Sequence, residues 1–150
     1  MAKALLVIDM QGEYIEKYPS ALLKRINKRI EKSALDKEMI IYIKNTKALR
    51  SEKYTDNFAA GLSLCSEFVI CKEKADAFSN SALQSILVQN RITEVELVGI
   101  DGNSCIAKTA IGAINHGYKT ILQNEYIGIQ NLERYENTKK SLLARGIVII

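Results

Sequence analysis

The feature that most constrains this chain is a series of short, unbroken apolar runs, separated by segments with helical periodicity. Ala4-Leu5-Leu6-Val7-Ile8 is the first of them, and it stops at Asp9. A strand with one wet face alternates apolar and polar residues, whereas a continuous run of this length suits a strand covered on both faces, as in a parallel sheet. Met39 to Ile43, Phe68 to Cys71, Val95 to Val98, Lys119 to Leu122 and Ile147 to Ile150 read as five further strands.

The intervening segments read as helices. After Pro19 and Ser20, Leu22, Leu23, Ile26 and Ile30 recur at helical spacing, and Lys24, Arg25, Lys28 and Arg29 are read as the solvated face of that helix. Ser81 to Asn90 carries Leu83, Ile86 and Leu87 on one face. A helix after Ser104 holds Ile106, Thr109, Ala110, Ala113 and Ile114 and closes at Gly117, read as a left-handed cap residue. Leu132 to Arg145 is a last helix ended by Gly146. The polar stretch from Lys44 to Asn57 shows no readable pattern. Strand–helix units joined by short connections force right-handed crossovers. The expected fold is therefore a Rossmann-like three-layer α/β/α sandwich with a mostly parallel six-stranded sheet. With 150 residues, 47% of them apolar, a single domain spanning 1–150 has enough material for its core.

Composition narrows the function. The net charge of +4 is spread along helices rather than gathered in a basic block interleaved with aromatics, so no nucleic-acid partner is expected. The apolar start is too short for a signal peptide and no later run is long enough to span a bilayer, so neither export nor a membrane partner is expected. Cys65, Cys71 and Cys105 lack the spacing of a zinc site or a disulfide framework, which suits reduced thiols in a cytoplasm.

In sandwiches of this kind ligands bind beyond the carboxyl ends of the strands. Asp9 follows the first strand, Lys72 follows the third, and Cys105 opens the helix after the fourth. An ordinary cysteine near neutral pH is only about a few per cent thiolate. A helix N-terminus and a nearby ammonium both favour the anion, and Asp9 is placed in sequence to take the proton. Taken singly, each has an ordinary reading: a buried filler for the cysteine, a turn cap for the aspartate, a solvated cation for the lysine. Cys65 and Cys71 have no evident activating partner and are assigned to packing, and His116 to a helix-end cation or surface group.

Leu5-Leu6-Val7-Ile8-Asp9-Met10-Gln11 resembles the opening strand of the isochorismatase-like hydrolases, a family of cysteine hydrolases. Lys72 to Leu83 is similar to their lysine segment, and its spacing to Phe78 selects Lys72 over Lys74. Val98-Gly99-Ile100-Asp101-Gly102-Asn103-Ser104-Cys105-Ile106 resembles their nucleophile turn. The resemblance implies that Cys105 is the nucleophile, Asp9 the acid/base and Lys72 the cation that holds the thiolate. It also implies a cis Ile100–Asp101 peptide and an oxyanion hole formed by the backbone N–H groups of Asp101 and Cys105. Gln11, Tyr14 and Phe78 are candidate walls of a substrate pocket, with a core role for Phe78 as the alternative. A homo-oligomer is implied as well.

The departures bear on activity. The family usually has alanine, threonine and aspartate where this chain has Asp101, Gly102 and Asn103. A carboxylate at Asp101 either raises the thiol pKa, disfavours anionic substrates or points into solvent. Nicotinamidase relatives carry an aspartate and histidines after the second strand as a metal site, whereas residues 44–58 here contain no histidine. No metal and no cofactor are therefore expected. The reading is a metal-independent hydrolase of a small amide or related acyl compound, working through a thioester. Its rivals are a catalytically silent family member acting by oligomerisation or partner binding, and a nucleotide-binding or phospho-receiver domain. The second of these lacks a glycine-rich phosphate loop after the first strand.

Overall fold

The computed structural model describes residues 2–46 and 57–150. Its six strands are β1 (Ala2–Ile8), β2 (Met39–Asn45), β3 (Val69–Lys72), β4 (Ile92–Ile100), β5 (Lys119–Gly128) and β6 (Val148–Ile149). The helices are α1 (Gly12–Ile15), α2 (Ser20–Leu35), α3 (Ser81–Gln89), α4 (Cys105–Asn115) and α5 (Leu132–Ala144), with a 3-10 turn at Ala77–Ser79. The strands form one sheet in the order β3-β2-β1-β4-β5-β6, and every strand pair is parallel.

The central strand explains the layering. On β1, Leu5 and Val7 pack with Leu22, Ile26 and Ile30 of α2, while Ala4, Leu6 and Ile8 pack on the other face with side chains of α3, α4 and α5. Both faces of β1 are therefore dry, as its unbroken apolar run requires. Each such side chain, fully buried, contributes about 1.5–3 kcal/mol. The three-layer α/β/α sandwich expected from the sequence is the observed fold.

Two strands run further than their apolar segments. β4 begins at Ile92 because its first residues pair with Ala2 and Lys3 of β1. β5 continues past Leu122 through polar residues that find partners: Gln123 donates to Glu96, and the Glu125 carbonyl accepts from Arg25. Arg29 departs from the solvated face assigned to it. It is buried, and its guanidinium donates two hydrogen bonds of 2.9 Å to Glu96, which is fully buried in β4. A single acid inside an apolar strand pattern is the sequence trace of this pair. Cys65 and Cys71, assigned to packing, are both exposed, Cys71 because it lies on the edge strand β3. Gly117 does cap α4, with φ +89°. Of the patternless stretch 44–57, residues 47–56 lie outside the described residues.

Candidate active site

The strand order reverses at β1, which lies between β2 and β4. Connections leaving β1 and β4 therefore diverge to opposite faces and open a crevice at their carboxyl ends. Asp9 is the first residue beyond β1 and turns there with φ 55°, a left-handed conformation that aspartate tolerates better than most residues. Its N–H donates to the Ile43 carbonyl of β2 at 3.0 Å, which fixes the turn. Beside it, Gly99 has φ +122°, and any Cβ there would collide with the backbone carbonyl of Ile8. Glycine thus lets the end of β4 lie directly against the end of β1.

The Ile100–Asp101 peptide is cis, as the resemblance implied. The Asp101 carbonyl then accepts the N–H groups of Ser104 and Ile106, both at 3.1 Å, and α4 begins at Cys105. Lys72 comes from further away, at the end of β3 beyond β2, and its side chain is completely shielded from solvent. Its ammonium donates to Asp9 Oδ2 at 3.3 Å and to Cys105 Sγ at 3.2 Å. Three groups separated by 63 and 33 positions in the chain thus converge on one nitrogen.

One cation here faces two groups that can become anions. Burial pushes the Asp9 carboxyl above its ordinary range, against the opposing pull of Lys72. Burial and then the charge of Asp9 push the Cys105 thiol from 9.0 up to about 11, outweighing Lys72. Burial and the Asp9 charge therefore oppose the preference for the anion that Lys72 supports. Asp9 Oδ1 is buried and makes no hydrogen bond among the described residues, although the Cys105 thiol and the Asn45 side chain both act on the carboxylate to favour its charge.

A cavity of about 210 Å³ opens onto these groups, lined by Asp9 and Cys105 with Tyr14, Lys17, Tyr18 and Gln130. Of the three wall candidates, only Tyr14 lines it. Gln11 is buried and clamps the end of β2, donating to the Asn45 carbonyl at 3.1 Å and accepting the Asn45 N–H at 2.8 Å. Asn45 in turn lines the cavity. Phe78 is a core residue, stacked on His116 at 4.8 Å and packed near Tyr118. Tyr18 and Gln130 had no signal in the sequence, since neither belongs to a strand or helix.

The comparisons with known proteins agree with this fold. Residues 3–150 match the Isochorismatase domain. The chain belongs to the isochorismatase family. It is 24% identical to the uncharacterized isochorismatase family protein YaaI of Bacillus subtilis, over 89% of this chain and 84% of that one. It is 31% identical over 70 residues to maleamate amidohydrolase of Pseudomonas putida, which is 47% of this chain but only 33% of that relative's length. Pyrazinamidase of Pyrococcus horikoshii, solved in complex with zinc, superposes with a TM-score of 0.86 at 21% identity, over 100% of this chain and 99% of that one. That likeness is one of fold. Among the described residues no group of three or more His, Cys, Asp or Glu side chains is placed to hold an ion. The single histidine of this chain, His116, instead meets the Gly112 carbonyl through Nδ1 at 2.7 Å.

Proposed function

We propose that the protein hydrolyses the C–N bond of a small amide, or a related acyl compound, through a thioester on Cys105, without a metal. The observation that carries this reading is the Lys72 ammonium held between the Asp9 carboxylate and the Cys105 sulfur at 3.3 and 3.2 Å, beside a cavity lined by both acid and thiol. A maleamate amidohydrolase among the relatives and a pyrazinamidase among the similar folds support amide chemistry.

The charge balance sets the order of events. In this mechanism Asp9 starts as the carboxylate contacted by Lys72, and Cys105 starts as a thiol, the form that burial favours. As sulfur attacks the carbonyl carbon, its proton passes to Asp9, so the ammonium is never left facing two full negative charges. The oxyanion is received by the backbone N–H groups of Asp101 and Cys105. Asp9 then protonates the departing amine as the C–N bond breaks, leaving a thioester. In the second half Asp9 takes a proton from water, hydroxide replaces sulfur, and the acid leaves with the thiol restored.

The competing reading is a catalytically silent member acting through protein contacts, favoured by the burial and Asp9 charge that push the Cys105 thiol up. Both are tested by measuring ammonia release from a panel of small primary amides, with mass spectrometry of the intact protein to trap the acyl adduct. The hydrolase reading expects turnover and an adduct that disappear in Cys105→Ala. No ammonia and no adduct above the Cys105→Ala background would establish the silent reading.

A further inference from the structure

Asp101 stands in the nucleophile turn, and its side chain lies in the wall of the cavity rather than in bulk solvent. Three donors from three parts of the chain hold it. The Tyr18 hydroxyl donates to Oδ2 at 2.8 Å, the Gln130 N–H to Oδ2 at 2.9 Å and the Asn103 N–H to Oδ1 at 2.8 Å. All three donors are neutral, so they fix the carboxylate in place without cancelling its charge. Tyr18 feels this directly: burial, and then its hydrogen bond to Asp101, push its phenol well above the ordinary range and keep it a donor. Among the described residues, the other charged side chains lining the cavity are Asp9 and Lys17. Asp9 and Lys72 neutralise each other, and Lys17 is an exposed side chain at the rim.

We propose that Asp101 is a specificity-determining residue, which makes the pocket select amides that are neutral or cationic at the end facing Tyr18 and Gln130 and reject those bearing a carboxylate there. This rests on the hydrolase reading, because it concerns what reaches Cys105. Of the three consequences open to an acid in this turn, the pocket-lining one is selected. The carboxylate faces protein donors rather than open solvent, and the groups that raise the thiol are burial and Asp9. A fixed charge in a small, partly desolvated cavity of about 210 Å³ acts on a ligand far more strongly than the same charge on an open surface.

The test compares two alkylating reagents that differ only in charge at one end, iodoacetamide and iodoacetate. Labelling rates at Cys105 are read by peptide mass spectrometry on the native protein and normalised to the same cysteine in urea-unfolded protein. The expected iodoacetate-to-iodoacetamide ratio in the native protein is at least tenfold below the unfolded reference. Asp101→Asn, which removes the charge and keeps the shape, with one acceptor oxygen in place of two, should bring it to within about threefold. Equal normalised rates in the native protein would overturn the role of Asp101 while leaving the hydrolase reading intact. A low ratio that Asp101→Asn leaves unchanged would also overturn it. Labelling by neither reagent while Cys71 reacts would remove the accessible nucleophile and both readings with it.

Discussion

Replacing Lys72 with methionine removes one charge and almost no volume from the centre of the site. The ammonium lies 3.2 Å from the sulfur, where a unit charge attracts a thiolate by about 5 kcal/mol at an effective dielectric of about 20. At about 1.4 kcal/mol per pKa unit, losing that attraction would depress thiolate formation by more than three orders of magnitude. Asp9 offsets part of this, because without Lys72 its buried carboxyl takes up a proton and stops repelling the thiolate. The expected net effect is a fall of about a hundredfold or more in the iodoacetamide labelling rate of Cys105 at pH 8, with exposed Cys71 unchanged as internal reference. An unfolded variant is recognised by the opposite behaviour, a Cys105 that labels as fast as Cys71. A folded Lys72→Met protein whose Cys105 labels within threefold of wild type would refute the claim that the ammonium controls the thiol.

Asp9→Asn should separate reactivity from catalysis. Because the Asp9 charge helps hold the thiol up at about 11, its loss lowers the thiol pKa and speeds labelling at pH 8, while amide hydrolysis falls by about 10²–10⁴ with the general acid gone. An unshifted pH profile of labelling would show that the two groups are not coupled. Glu96 tests the buried ion pair on the other face of β1. Burial alone would raise its carboxyl, but hydrogen bonds from Arg29 and Lys3 hold it below the ordinary 4.5, so its stabilisation is complete above pH 4.5 and is lost as pH falls through the folded value. Glu96→Gln should therefore cost about 3–5 kcal/mol in urea unfolding at pH 7, with a smaller gap near pH 3.5, and a gap independent of pH would contradict the pairing. Phe78→Ala should cost about 3–5 kcal/mol of stability with little change in Cys105 labelling, and the reverse pattern would make Phe78 a pocket wall.

The sheet was legible in the sequence because a strand buried on both faces leaves a local mark, an unbroken apolar run, and β1 and β2 carry it plainly. Asp9, Lys72 and Cys105 were legible because each sits at the end of such a run or at the first turn of the following helix. What was lost is information that no local pattern carries. Arg29 reads as one of four basic residues on a helix face, and only the register of α2 over β4 reveals that it meets Glu96. Tyr18 and Gln130 become pocket residues through Asp101, 83 and 29 positions away respectively. The balance of effects on the thiol is not local either. The helix N-terminus and the lysine are visible in sequence, but the depth of burial that outweighs them is a property of the assembled layers.

That burial fits a nucleophile that should act only on a bound carbonyl. A thiolate at rest would need Lys72 to balance it, leaving Asp9 either unpaired or protonated and unable to receive a proton. In the proposed mechanism the Lys72 ammonium serves Asp9 while the thiol is intact, and the proton moves only when an incoming carbonyl carbon draws the sulfur electron pair. The same reasoning bears on the acid that replaces the family's usual small residue. An unrestrained carboxylate at Asp101 would oppose the oxyanion, because both would be negative charges in one small cavity. Tyr18, Asn103 and Gln130 tie it down instead, through side-chain contacts that leave the Asp101 backbone N–H out of the bonding. In the proposed mechanism that N–H remains a donor for the oxyanion, and the charge of the carboxylate falls on the far end of the substrate.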